Sequence, residues 1–153
     1  MFSSRRIDEV GGHVFKESSR INSTWGGNLV DMVRFTLYLE IIEQENLCEN
    51  VSTVGAFMRE RLCGIQNKHA VIGDVRGHGL FLGLEWISDP VSKAPDQDGV
   101  VKVVNTLRER GYLTSNAGAH HNVLKIRPPL VFSKDDAQEF LTAFEQTLDA
   151  LDV

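Results

Sequence analysis

The sequence predicts an α+β fold in which helices cover a small mixed or antiparallel sheet of about four strands. Two observations carry that expectation. Apolar residues recur at helical spacing over 29–63, alternate as strands do over 71–87, and return to helical spacing over 100–110 and 134–151. Residues suited to helix starts and to turns, among them Asn28, Gly77, Gly79, Gly111 and Ser133, stand at the joins.

Residues 1–28 carry little periodicity and read as an irregular lead-in, broken at Gly11-Gly12. A short apolar stretch around Val14-Phe15 is compatible with extended backbone. The lead-in resembles a segment leaving something upstream. Beyond it, Leu29, Met32, Val33, Leu37, Leu39, Ile41 and Ile42 predict a helix with a broad buried face, capped by Asn28. Glu40, Glu43 and Glu45 are unfavourable at a helix end, so a break is expected near Glu45-Asn46. A second helix is expected over 47–63, with Val51, Val54, Phe57, Met58 and Leu62 inward and Gly64 as its stop.

From Val71 to Ile87 the alternation of Leu80, Leu82, Leu84 and Trp86 predicts two strands, with Gly77 and Gly79 flanking His78 at their turn. After a polar loop holding Pro90 and Pro95, a helix is expected over 100–110, with Val101, Val104 and Leu107 inward and Gly111 closing it. Tyr112–Thr114 and Val123–Arg127 read as short strands around a Gly-Ala-His-His loop. Ser133 caps a last helix, with Asp135 and Asp136 in its first turn and Ala137, Phe140, Leu141, Phe144, Leu148 and Leu151 inward.

The bulk numbers exclude several classes of function. A net charge of −5 without a basic block makes nucleic acid a poor partner, since duplex binding relies on neutralising phosphates. No apolar run is long enough for a membrane span, and Met1–Arg6 has no secretory character. The expected location is cytoplasmic. Cys48 and Cys63 are then read as buried thiols, in preference to a disulfide or a metal site.

Three segments could carry chemistry. Residues 20–28, Arg-Ile-Asn-Ser-Thr-Trp-Gly-Gly-Asn, set hydroxyls and free amides before a helix start. They either cap that helix or hold a phosphate. Val75-Arg-Gly-His-Gly-Leu80 reads as a structural hairpin, with His78 an exposed turn residue. Lys125-Ile-Arg-Pro-Pro-Leu130 puts an arginine at a strand end, where the prolines fix the chain direction. Arg127 could grip a carboxylate in two parallel hydrogen bonds or sit in a structural salt bridge. His120-His121 lack further ligands at suitable spacing, so no metal is expected.

In this order and spacing the segments resemble the carboxy-terminal portion of a class III, fold type I, pyridoxal-phosphate-dependent aminotransferase, over about Arg6 to Leu151. The opening, from Arg6-Ile-Asp-Glu-Val10 to Asn28, is most similar to the lysine 6-aminotransferase and 4-aminobutyrate aminotransferase branch. The resemblance implies that Thr24, with Ser23 beside it, reaches the phosphate of pyridoxal 5'-phosphate across a dimer interface, and that Arg127 binds a substrate carboxylate. It implies residues 1–28 continuing from a missing large domain, with 29–153 as the small domain. Homodimerisation or self-association is expected, with an amino acid or ω-amine and a 2-oxo acid as substrates.

The family's aldimine lysine lies upstream of the stretch matched here, and none of Lys16, Lys68, Lys93, Lys102, Lys125 and Lys134 stands in its place. A transaminase needs that amine, so no catalytic residue is assigned and the chain is expected to be inactive alone. Two alternatives remain open: a non-catalytic dimerisation or carboxylate-binding module, and part of an aminomutase or amine lyase.

Overall fold

The structure is a computed structural model that describes residues 5–17 and 27–153. The chain forms two compact units, Met1–Ile41 and Ile42–Val153. The first opens with a 3-10 helix, Arg5–Glu9, followed by turns; Val14 and Phe15 lie in those turns and are not extended. Helix α1, Leu29–Gln44, starts where Asn28 directs it, because the Asn28 side-chain oxygen accepts from the Val30 amide at 2.9 Å.

The broad buried face expected of α1 is absent: none of its residues is buried, and Leu29, Met32, Val33, Leu37, Leu39 and Ile41 are exposed. The reason is visible in the order of residues. Val30, Phe35 and Tyr38 interleave with those six, so apolar side chains occupy every side and no single stripe exists. Helix α1 breaks at Asn46, which takes the left-handed conformation at φ 51°.

In the second unit the elements follow the predicted order. Helix α2 spans Leu47–Gln66, strands β1 and β2 Ile72–His78 and Phe81–Trp86, helix α3 Gln97–Glu109, strands β3 and β4 Ser115–Ala117 and Val123–Ile126, and helix α4 Lys134–Leu151. All strand pairings are antiparallel, in the order β1-β2-β4-β3. Leu82, Leu84, Trp86, Leu124 and Ile126 face α2, α3 and α4 and meet Met58, Leu62, Val103, Leu107, Leu141 and Phe144 in one core. In β1 the register slips between Ile72 and Asp74, so Ile72 and Val75 both turn inward although three residues apart.

The β1–β2 turn requires its glycine. His78 pairs with Phe81, leaving Gly79 and Leu80 as the two central residues, and only Gly79 has positive φ (+54°), as a type II′ turn demands. Helix α2 lies directly on that turn: a Cβ on Gly55 would stand 2.4 Å from the Gly79 backbone.

Several local expectations shift for identifiable reasons. Helix α2 runs through Gly64, since Ile65 beyond it is buried and holds the last turn down. Helix α3 begins three residues early, because the Asp96 carboxylate accepts from the Gly99 amide at 2.9 Å. That phase buries Val100, Val103 and Leu107; Val101 is exposed and Val104 only half-buried. Tyr112–Thr114 is not a strand. The Tyr112 amide donates to the Leu107 carbonyl at 2.9 Å, wrapping the chain around the end of α3 and delaying β3 to Ser115. The cysteines are free, but Cys48 is exposed and Cys63 half-buried, each standing off the inward stripe of α2.

Helix α4 matches its expectation closely. The Ser133 hydroxyl accepts from the Asp136 amide at 3.1 Å, and the Asp136 carboxylate accepts from the Ser133 amide at 2.9 Å, a reciprocal capping box. Among the described residues no helix is long and apolar enough to cross a membrane.

Candidate functional site

Strand β4 carries Leu124 and Ile126 into the core, which leaves Lys125 on the other side and Arg127 just past the strand's end. The chain that follows is held firmly. Asn50 of α2 donates from its amide nitrogen to the carbonyls of Leu130 and Phe132, at 2.8 and 3.1 Å, and the Phe132 amide donates to the Pro129 carbonyl at 3.0 Å. Lys134 places its Nζ 4.8 Å from the centre of the Phe57 ring, tying the start of α4 to α2.

At this corner lies a cavity of about 280 Å³. Met58, Tyr112, Phe132 and Phe140 supply its apolar wall, and Arg127 and Lys125 border it; Lys125 also lines a second cavity with Arg76, Gly83 and Val123 on the outer face of the sheet. Lys125 is half-buried and Arg127 exposed. Neither makes a salt bridge among the described residues. The structural ion pair that was one reading of Arg127 is therefore not formed with any described residue. Tyr112 packs edge-on against Phe140 at 5.7 Å and donates its hydroxyl to Glu139 at 3.0 Å. Partial burial, then the neighbouring Glu139 carboxylate, raise the Tyr112 pKa above its ordinary value.

Thr114 also lines the cavity, and its Oγ1 is buried without a hydrogen-bond partner. Sequence reasoning missed Thr114 and Tyr112. Their place depends on how the chain rounds α3, and no local pattern encodes that.

The other segments sort differently. Ser23 and Thr24 lie outside the described residues. Arg76 is held by Asp74 at 2.7 Å and Glu85 at 2.5 Å on the face of the sheet away from the helices, and these hydrogen bonds, Asp74's first, raise its pKa. His78, His120 and His121 are exposed. Among the described residues no group of three or more His, Cys, Asp or Glu could hold a metal ion.

Comparison with known proteins decides the family. The model of the class III aminotransferases matches residues 8–148. The chain belongs to that family. It is 38% identical over 143 residues to the mitochondrial alanine–glyoxylate aminotransferase 2 homolog 2 of Arabidopsis thaliana, covering 94% of this chain and 30% of the plant protein. It is 35% identical over 142 residues to the ethanolamine-phosphate phospho-lyase homolog 1 of Caenorhabditis elegans, covering 92% of this chain and 29% of that protein. Among solved structures, the lysine aminotransferase from M. tuberculosis in its internal aldimine form superposes with a TM-score of 0.77 at 35% identity, over 97% of this chain and 32% of that one. The class III aminotransferase chain described here thus spans less than a third of each of these relatives.

Proposed function

We propose that this chain supplies the carboxy-terminal part of a pyridoxal-phosphate-dependent transaminase that moves an amino group from an amino acid or ω-amine to a 2-oxo acid. In this reading residues 1–28 continue from a large domain, 29–153 are the small domain, and the working enzyme is a homodimer. Arg127, with Lys125 beside it, captures the substrate carboxylate, while Ser23 and Thr24 contact the cofactor phosphate. The observation that carries the proposal is Arg127 on the wall of a largely apolar cavity, exposed and without a salt-bridge partner among the described residues. In such surroundings a bound carboxylate is gripped more strongly than in open water.

In this reading the lysine that holds the cofactor comes from the large domain. Lys16, Lys68, Lys93, Lys102 and Lys134 are exposed, and Lys125 stands beside Arg127 in the cavity wall. The role left to this chain is binding and orientation. Alone, with pyridoxal phosphate and an amine donor, it should give no turnover; measurable transamination by the chain alone would sink the proposal. Paired with a lysine-bearing large domain, it should restore activity that depends on a 2-oxo acid. There Arg127→Ala should lower kcat/KM for that acid about 10- to 100-fold, since a hydrogen bond to a charged group is worth about 1.5–3 kcal/mol.

Similarity to the nematode phospho-lyase favours one second reading, a lyase of the same cofactor class. Phosphate release by the reconstituted enzyme without any oxo-acid acceptor would identify it.

A further inference from the structure

We propose that Asn50, at the end of the first turn of α2, is a positioning residue for Arg127 that acts by clamping the segment after Pro128-Pro129. The inference rests on the carboxylate role given above to Arg127 and deepens it. Arg127 stands where the sheet stops supplying anchors, since β4 pairs with β2 only as far as Ile126, opposite Leu82. Pro128 and Pro129 follow, and neither has an N–H, so the chain cannot be tied down there through its own amides. Its carbonyls serve instead. The Asn50 side-chain nitrogen donates to the Leu130 carbonyl at 2.8 Å and to the Phe132 carbonyl at 3.1 Å. That nitrogen carries two hydrogens, and both are spent on this one segment. The Phe132 amide donates to the Pro129 carbonyl at 3.0 Å, so residues 129–132 form a closed turn that the clamp holds as a unit.

Between the two fixed ends little freedom is left. A residue before proline is confined to extended backbone, which restricts first Arg127 and then Pro128. The proline rings set φ at the next two positions. With Ile126 held by the sheet and Leu130 by α2, the backbone of Arg127 is placed from both sides. A guanidinium carried on a preset backbone loses less freedom when it closes on a carboxylate. Asn50 is half-buried and does not line the cavity, so its influence reaches a bound carboxylate through Arg127.

The test compares Asn50→Ala and the isosteric Asn50→Asp in two settings. In the isotope-labelled chain alone, NMR relaxation should show increased motion at Arg127, Leu130, Val131 and Phe132, with Val123–Ile126 unchanged. In the enzyme reconstituted with a lysine-bearing large domain, Asn50→Ala should raise KM for the 2-oxo acid about three- to tenfold, the scale of one or two lost hydrogen bonds, with kcat within about twofold of the parent. Asn50→Asp sets a carboxylate against two carbonyls and should do at least as much. On an Arg127→Ala background, Asn50→Ala should change KM by less than about twofold, because the route through the guanidinium is gone. An asparagine serving only the fold would lower kcat with KM unchanged, and its effect would persist without the Arg127 side chain. Either result overturns the inference, and so does unchanged motion at Arg127. If Arg127→Ala itself leaves KM untouched, the proposed function fails, and the relaxation measurement alone decides whether Asn50 positions Arg127.

Discussion

Helices α1 and α4 are similar in length, 16 and 18 residues, and both are rich in apolar side chains, yet α4 buries seven residues and α1 none. The difference lies in arrangement. In α4, Ala137, Phe140, Leu141, Phe144 and Leu148 fall on one stripe, while Asp135, Glu139, Thr142, Gln146 and Asp149 face water. In α1 the apolar residues surround the axis. Periodicity tells which side of a helix is covered only when there is an uncovered side to contrast with it. Helices apolar on all sides are generally those enclosed in the core of a large protein, and the described residues of this chain give α1 no such enclosure.

The sharpest way to break this comparison is to truncate α4. Leu141 is fully buried among the helices and the sheet. Leu141→Ala should lower the unfolding free energy by about 2–5 kcal/mol, through lost burial and the cavity left behind. Urea denaturation followed by circular dichroism would measure it. A loss under about 1 kcal/mol would mean that α4 does not anchor the core.

Where the sequence was legible, several local signals agreed. The element order followed from the changes of period, α4 from its stripe together with the Ser133 cap, and the hairpin from its glycines. Where it misled, one signal stood unsupported or was overridden by packing. Four closely spaced valines, Val100, Val101, Val103 and Val104, left the phase of α3 open until the Asp96 cap set it. Gly64 resembles a stop, but burial of Ile65 outweighs a glycine's cost of about 1 kcal/mol within a helix. At the candidate site Arg127 stood out in the sequence because two prolines follow it, whereas Lys125 was not singled out. Thr114 was not either, since an unpaired hydroxyl is a fact about surroundings brought in from α2, α4 and β4.

A smaller effect tests the cap that starts α4. Ser133→Ala should cost about 1 kcal/mol at neutral pH. Acid sharpens the test. Asp136 has its pKa lowered from the ordinary 3.8, first by the Ser133 hydroxyl and then by the Ser133 backbone amide. A carboxylate whose folded pKa is lowered contributes stability that is present above its unfolded pKa and is lost as pH falls through the folded one. The parent chain should therefore lose stability below about pH 4. The gap between it and Ser133→Ala should narrow over the same range. A gap that stays constant in acid would detach Asp136 from the cap.

The smallest effect belongs to α1 and bears most directly on the contrast between the helices. Leu37 is exposed at its centre, so Leu37→Ala removes little buried area and replaces leucine with a good helix former. In this chain alone its unfolding free energy should stay within about 0.5 kcal/mol of the parent, the usual range for surface positions. In a reconstituted enzyme, where a large domain would cover α1, the same substitution should approach the core cost of about 2–5 kcal/mol. One substitution thus reads two environments. A large loss in the isolated chain would mean that α1 is already covered there, and no loss in the reconstituted enzyme would mean that its apolar residues have some other partner.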